Sequence, residues 1–142
     1  MVTGKQIASN LADVKATLKE AETMAGKTPG TVTLVAVSKT QPPETVKFAL
    51  EAGHEIFGEN RVQEAVKKWP ALLEVYHNVQ LHLIGALQSN KAKQAVKLFD
   101  VIETVDRPTL AGALARNMDA LGRRPECFVQ VNTGEEAQKA GV

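Results

Sequence analysis

The sequence predicts an α/β fold, a (β/α)8 TIM-type barrel of which the chain supplies the first five or so βα units. Three observations carry that expectation. Short apolar runs alternate with amphipathic stretches after a leading helix. Strand ends fall near residues 38, 58, 84, 104 and 131, at intervals of 20, 26, 20 and 27 residues, each holding one helix and one strand. The first strand runs into Ser38-Lys39-Thr40-Gln41-Pro42, which lacks the glycine-rich turn that usually announces a doubly wound sheet.

Taken in order, Ile7, Leu11, Val14, Leu18 and Ala21 recur every three or four residues and form one face of a helix over 6–24. Lys15, Lys19, Glu20 and Glu22 fall on its polar face. A glycine-bounded break at 26–30 follows. Strands are expected over 33–38, 55–57, 81–84, 101–104 and 127–131, and helices over 43–52, 61–75, 90–98 and 108–121. Pro43 and Pro108 suit a first helical turn, and Gly53 and Gly122 stand just past helix ends.

Barrels usually need ~250 residues. The 142 residues stop in the loop after the fifth strand. The expectation is therefore a single domain, 1–142, forming the N-terminal portion of a longer barrel, with the first strand's edge otherwise open to pairing.

Composition narrows the function. Seventeen basic and sixteen acidic residues leave a net charge of +1, too little to recruit nucleic acid or an anionic membrane. Aromatic residues make up 4%, which argues against a base-stacking surface. Cys127 stands alone and is expected to be a small buried hydrophobe. The first residues carry no signal-peptide pattern, and no apolar stretch reaches the ~18 residues of a membrane span. A soluble, cytoplasmic protein is expected, monomeric or weakly self-associating. His54, His77 and His82 are scattered with no ligand spacing, so no metal site is expected.

Chemistry in a barrel sits on the loops after the strand C-termini. Those loops carry Ser38-Lys39-Thr40, Gly58-Glu59-Asn60-Arg61, Gly85 through Lys91, and Asn132-Thr133-Gly134-Glu135-Glu136. Lys39 is the informative member. An ammonium at the end of an apolar strand is unfavourable unless it is paired, neutralised or covalently used. Desolvation, or a neighbouring cation such as Arg61 or Lys91, would favour the neutral amine that condenses with an aldehyde. The plainer alternative is a lysine whose stem packs while its head reaches water. Asn60 suits either a ligand contact or the cap of the following helix, and Ser89 or Asn90 suits the cap of the next. Gly26-Lys27-Thr28 is no phosphate loop, because Ala21 stands where the pattern requires glycine. A Ser38–Lys39 nucleophile is disfavoured because adjacent strand residues face opposite sides.

These stretches resemble the pyridoxal-phosphate homeostasis protein family, also called the proline-synthetase co-transcribed family. The matching segments are Leu34-Val35-Ala36-Val37-Ser38-Lys39-Thr40, Phe57-Gly58-Glu59-Asn60-Arg61-Val62-Gln63-Glu64, His82 through Lys91, and Val131 through Gly141, in matching order and spacing. Ala86 departs from the histidine or proline of many members. The resemblance implies a barrel like the N-terminal domain of alanine racemase, holding pyridoxal 5'-phosphate as a Schiff base on Lys39. It implies further cofactor contacts from Asn60, Gly85, Ser89 and Asn132. The family's phosphate grip lies in segments beyond residue 142. The implied role is cofactor carriage and homeostasis without catalysis. The alternatives are a pyridoxal-phosphate-dependent racemase or related enzyme, and a barrel lyase that uses its lysine without a cofactor. A racemase needs a second acid/base group, and Tyr76, the one tyrosine, is placed away from the rim.

Overall fold

A computed structural model describes residues 1–142. Its elements are α1 (Gly4–Met24), β1 (Ala36–Val37), α2 (Pro43–Glu51), β2 (Ile56–Glu59), α3 (Val62–Leu73), β3 (Gln80–Leu83), a 3-10 turn (Ser89–Lys91), α4 (Ala92–Leu98), β4 (Val101–Val105), α5 (Pro108–Leu121) and β5 (Glu126–Val129). The five strands form one sheet in the order β1-β2-β3-β4-β5, every neighbouring pair parallel. Sequential order means that each crossover steps the same way, as in a barrel wall; a doubly wound sheet reverses direction.

Local sequence explains the helix boundaries. Pro43 and Pro108 each occupy a first helical turn, where the missing N–H costs nothing. Gly122 ends α5 in the left-handed region at φ 62°, a conformation cheap only for glycine.

The two faces of the sheet differ sharply. Register aligns Glu59, Leu83, Ile102 and Cys127 in one row, with Ala36, Phe57 and Leu81 on the same side. This side packs under the helices: Phe57, Leu81, Leu83 and Ile102 join Val46, Ala65, Trp69, Val96, Leu110 and Leu114 in one core. A second row, Val37, Gly58, His82, Val101 and Glu126, lies on the opposite face. No helix of the core cluster lies there; Val37 remains 51% exposed and Glu126 is exposed, while His82 and Val101 are buried.

Several expectations change. The strand expected over 33–38 is regular only at Ala36–Val37, with the Ser38 amide adding one further ladder bond to Gly58. Glu22 does not sit on a solvated helix face. It is buried, and its carboxylate accepts the Gly30 amide at 2.8 Å and the Val32 amide at 2.6 Å, closing the 26–30 break. Those two bonds, Val32 first, hold its carboxyl below the ordinary 4.5. Cys127 is exposed because β5 is the other edge, where its row runs out of helix cover. No helix is long and apolar enough to cross a membrane.

Candidate functional site

The C-terminal ends of β1, β2, β3 and β4 meet at one edge of the sheet, and three of the expected site residues lie there. Val37 pairs with Gly58, and the Ser38 amide continues the ladder to the Gly58 carbonyl at 3.0 Å. Lys39 follows as the first residue of the turn that the Gln41 amide closes onto the Ser38 carbonyl at 3.2 Å, just past the paired residues of β1. Lys39 stands outside the helix-covered layer that takes the Ser38 hydroxyl. Lys39 is exposed and belongs to none of the ion pairs of the chain. The desolvated amine anticipated from sequence is thus not found; the amine is free instead.

Ser38 faces the other way. Its hydroxyl donates to Glu59 Oε1 at 2.7 Å inside the helix-covered layer, so it does not stand beside the lysine as a nucleophile. Glu59, grouped by sequence with the rim residues, points the same way and is wholly buried.

Asn60 is half-buried and does not cap α3, whose cap position is Arg61 with no side-chain hydrogen bond. Of the two readings left open for Asn60, the cap is therefore not realised. Gly85 lies against it: a Cβ added at Gly85 would stand 2.2 Å from the Asn60 carbonyl oxygen. No residue but glycine fits that approach. The Gly85 loop is tied down from β4, where Thr104 Oγ1 donates to the Gly85 carbonyl at 2.8 Å. Arg107 donates to the Leu87 carbonyl at 2.9 Å and reaches Ser89 Oγ at 3.4 Å. Ser89 opens the 3-10 turn and caps no helix. Thr104 and Arg107 were missed from sequence, since each reads locally as a strand residue and a loop cation.

Asn132 behaves differently. Its side-chain amide donates to the Glu136 carbonyl at 2.9 Å while its oxygen accepts the Glu136 amide at 3.3 Å, so it is spent on folding its own loop. Asn60 and Gly85 are brought into backbone contact, Lys39 lies at the same end of the sheet, Ser89 is linked to the Gly85 loop through Arg107, and Asn132 is turned inward on its own loop.

On the open face, His82 is buried and its Nδ1–H donates to Glu103 Oε1 at 2.6 Å. Its Nε2 has no partner. The structure gathers no group of three or more His, Cys, Asp or Glu side chains able to hold a metal.

Comparison with known proteins bears on this arrangement. The alanine racemase N-terminal domain matches the chain over residues 6–142. The pyridoxal phosphate homeostasis protein of Vibrio alginolyticus is 38% identical over 138 residues, covering 96% of this chain and 59% of that protein. The protein of the same name from Pseudomonas aeruginosa is 42% identical over 136 residues, covering 95% and 58% respectively. The solved structure of PipY from Synechococcus elongatus with PLP bound superimposes at a TM-score of 0.78 and 40% identity, covering 96% of this chain and 57% of that one. The chain thus spans about six-tenths of the length of the curated relatives it matches.

Proposed function

The chain belongs to the alanine racemase N-terminal domain family, and from that premise we propose that it holds pyridoxal 5'-phosphate on Lys39 and serves cofactor homeostasis without catalysis of its own. The observation that carries this reading is a lysine amine outside every ion pair, just past the C-terminal end of β1, with the neighbouring strand β2 followed at once by an asparagine whose side chain caps nothing. A relative 40% identical to this chain has been solved with PLP bound, which supports the same cofactor here.

The residues present fit the aldehyde end of that cofactor. Lys39 offers an amine engaged by no carboxylate, and Asn60 offers an uncommitted amide. Gly85 lets two backbones approach closely beside them. When bound, the cofactor would supply an aldehyde with which the Lys39 amine could condense with loss of water. Asn60 orients the ring side of the site, the Gly85–Ser89 loop walls it, and Thr104 and Arg107 keep that loop in place. The same reading takes the five sequentially ordered strands as the wall of a (β/α)8 barrel, in a cytoplasmic protein that is monomeric or weakly self-associating.

The homeostasis role named for the curated relatives favours a carrier over a racemase, and Tyr76 does not supply a racemase's second group. A racemase needs acid/base groups on both sides of the reacting carbon. Tyr76 shares a cleft with His54, Glu55 and Val79, at the strand N-termini and so opposite the end that bears Lys39.

Titration of the chain with pyridoxal 5'-phosphate, followed by visible absorbance, tests the proposal. Wild type should develop a Schiff-base band that Lys39→Ala lacks. Equal binding by both would refute attachment at Lys39. Measurable exchange of D- and L-alanine would favour the racemase.

A further inference from the structure

The cofactor reading leaves unused a buried charged cluster on the helix side of the sheet, directly behind Lys39. Glu59 Oε1 accepts three donors: Ser38 Oγ at 2.7 Å, Lys68 Nζ at 2.9 Å and Trp69 Nε1 at 3.0 Å. Lys68, itself buried, also donates to the Ser38 carbonyl at 2.7 Å and to Glu64 Oε1 at 2.9 Å. That same Glu64 oxygen accepts the Thr40 amide at 2.6 Å. The Lys68 hydrogen bond, helped by the Thr40 amide, holds the Glu64 carboxyl below the ordinary 4.5.

Both chain neighbours of Lys39 are therefore clamped, while Lys39 itself is held by nothing. Ser38 is gripped at its hydroxyl and carbonyl, Thr40 at its amide. Thr40 is also one of two non-glycine residues with positive φ, at 61°, a conformation that β-branched residues resist. The turn stays there because the Glu64 carboxylate takes its amide. A buried ion pair is a weak source of stability, often replaceable by apolar packing. Its retention here is better explained by what it aims than by what it stabilises.

We propose that Glu64 and Lys68 are positioning residues: by fixing the Ser38–Thr40 turn they hold the Lys39 amine on the open face, so covalent capture of pyridoxal phosphate depends on side chains that lie on the far side of the sheet. The inference rests on Lys39 being the attachment point.

The test uses Glu64→Gln and Lys68→Met in the full chain, with two probes. Pyridoxal 5'-phosphate reports covalent capture, read by borohydride-trapped adduct. Pyridoxamine 5'-phosphate, which has no aldehyde, reports noncovalent binding, read by calorimetry. Glu64→Gln, whose parent side chain is 29% exposed, should stay folded by circular dichroism. It should weaken capture of pyridoxal phosphate roughly tenfold, the scale of one unfavourable left-handed residue, while pyridoxamine phosphate binding stays within about twofold. Lys68→Met should act in the same direction and more strongly. Capture unchanged in folded Glu64→Gln would overturn the proposal. So would parallel loss of both probes, which would mark the cluster as merely structural. If wild type forms no adduct at all, attachment at Lys39 fails and this inference falls with it; if wild type traps normally and the variants match it, only this inference falls.

Discussion

Gly85 and Asn60 touch backbone to backbone: a Cβ on Gly85 would lie 2.2 Å from the Asn60 carbonyl oxygen and 2.7 Å from its Cα. This contact locks the loop after β3 onto the end of β2, and a main chain cannot yield as a flexible side chain would. Gly85→Ala should therefore cost about 1–3 kcal/mol, measured as a lowered urea midpoint with unchanged slope. Gly58→Ala meets only side-chain methyls of Ile84 and Val35, each at 3.0 Å, and should cost less. Reversal of that order would contradict the close approach.

The buried cluster predicts a steep contrast between ion pairs. Glu59→Ala removes the acceptor of three buried donors and should destabilise by ~3–5 kcal/mol. Lys47 and Glu51 form an exposed pair at 3.7 Å, so Lys47→Ala should change stability by less than ~0.5 kcal/mol. Denaturant melts of the two variants decide it.

The helical punctuation of this fold was legible in the sequence, because Pro43, Pro108 and Gly122 act through local backbone geometry alone. The order of βα units was legible too, since apolar period and spacing need no knowledge of partners. What the sequence hid were the buried charges. Glu22, Glu59 and Lys68 look like surface residues until distant segments bring them donors and acceptors, at separations of 8 to 30 residues. The position of Lys39 at the end of an apolar strand is legible in the sequence, whereas the desolvation expected of it is absent, since its side chain is exposed. Asn132 matched a family pattern, whereas its hydrogen bonds close its own loop.

Stability should fall with acid in two stages. Burial, outweighing the hydrogen bond to Ile56, pushes the His54 imidazole below its ordinary 6.5; Lys15 lowers it further and Glu55 opposes. The unfolded chain then binds a proton that the folded chain refuses, so stability is full above 6.5 and declines as pH drops beneath it. Glu22 and Glu64, both lowered from 4.5, contribute stability above that value and lose it as pH falls further. Stability measured against pH should show both limbs. His54→Gln should flatten the upper limb, between 6.5 and 4.5, and spare the lower.

The most direct measurement of the central claim is peptide mapping after borohydride reduction of the chain incubated with pyridoxal 5'-phosphate. A single dominant adduct is expected on the peptide containing Lys39, absent from Lys39→Ala. An adduct spread over the surface lysines, or one that persists at another residue in Lys39→Ala with equal yield, would contradict it.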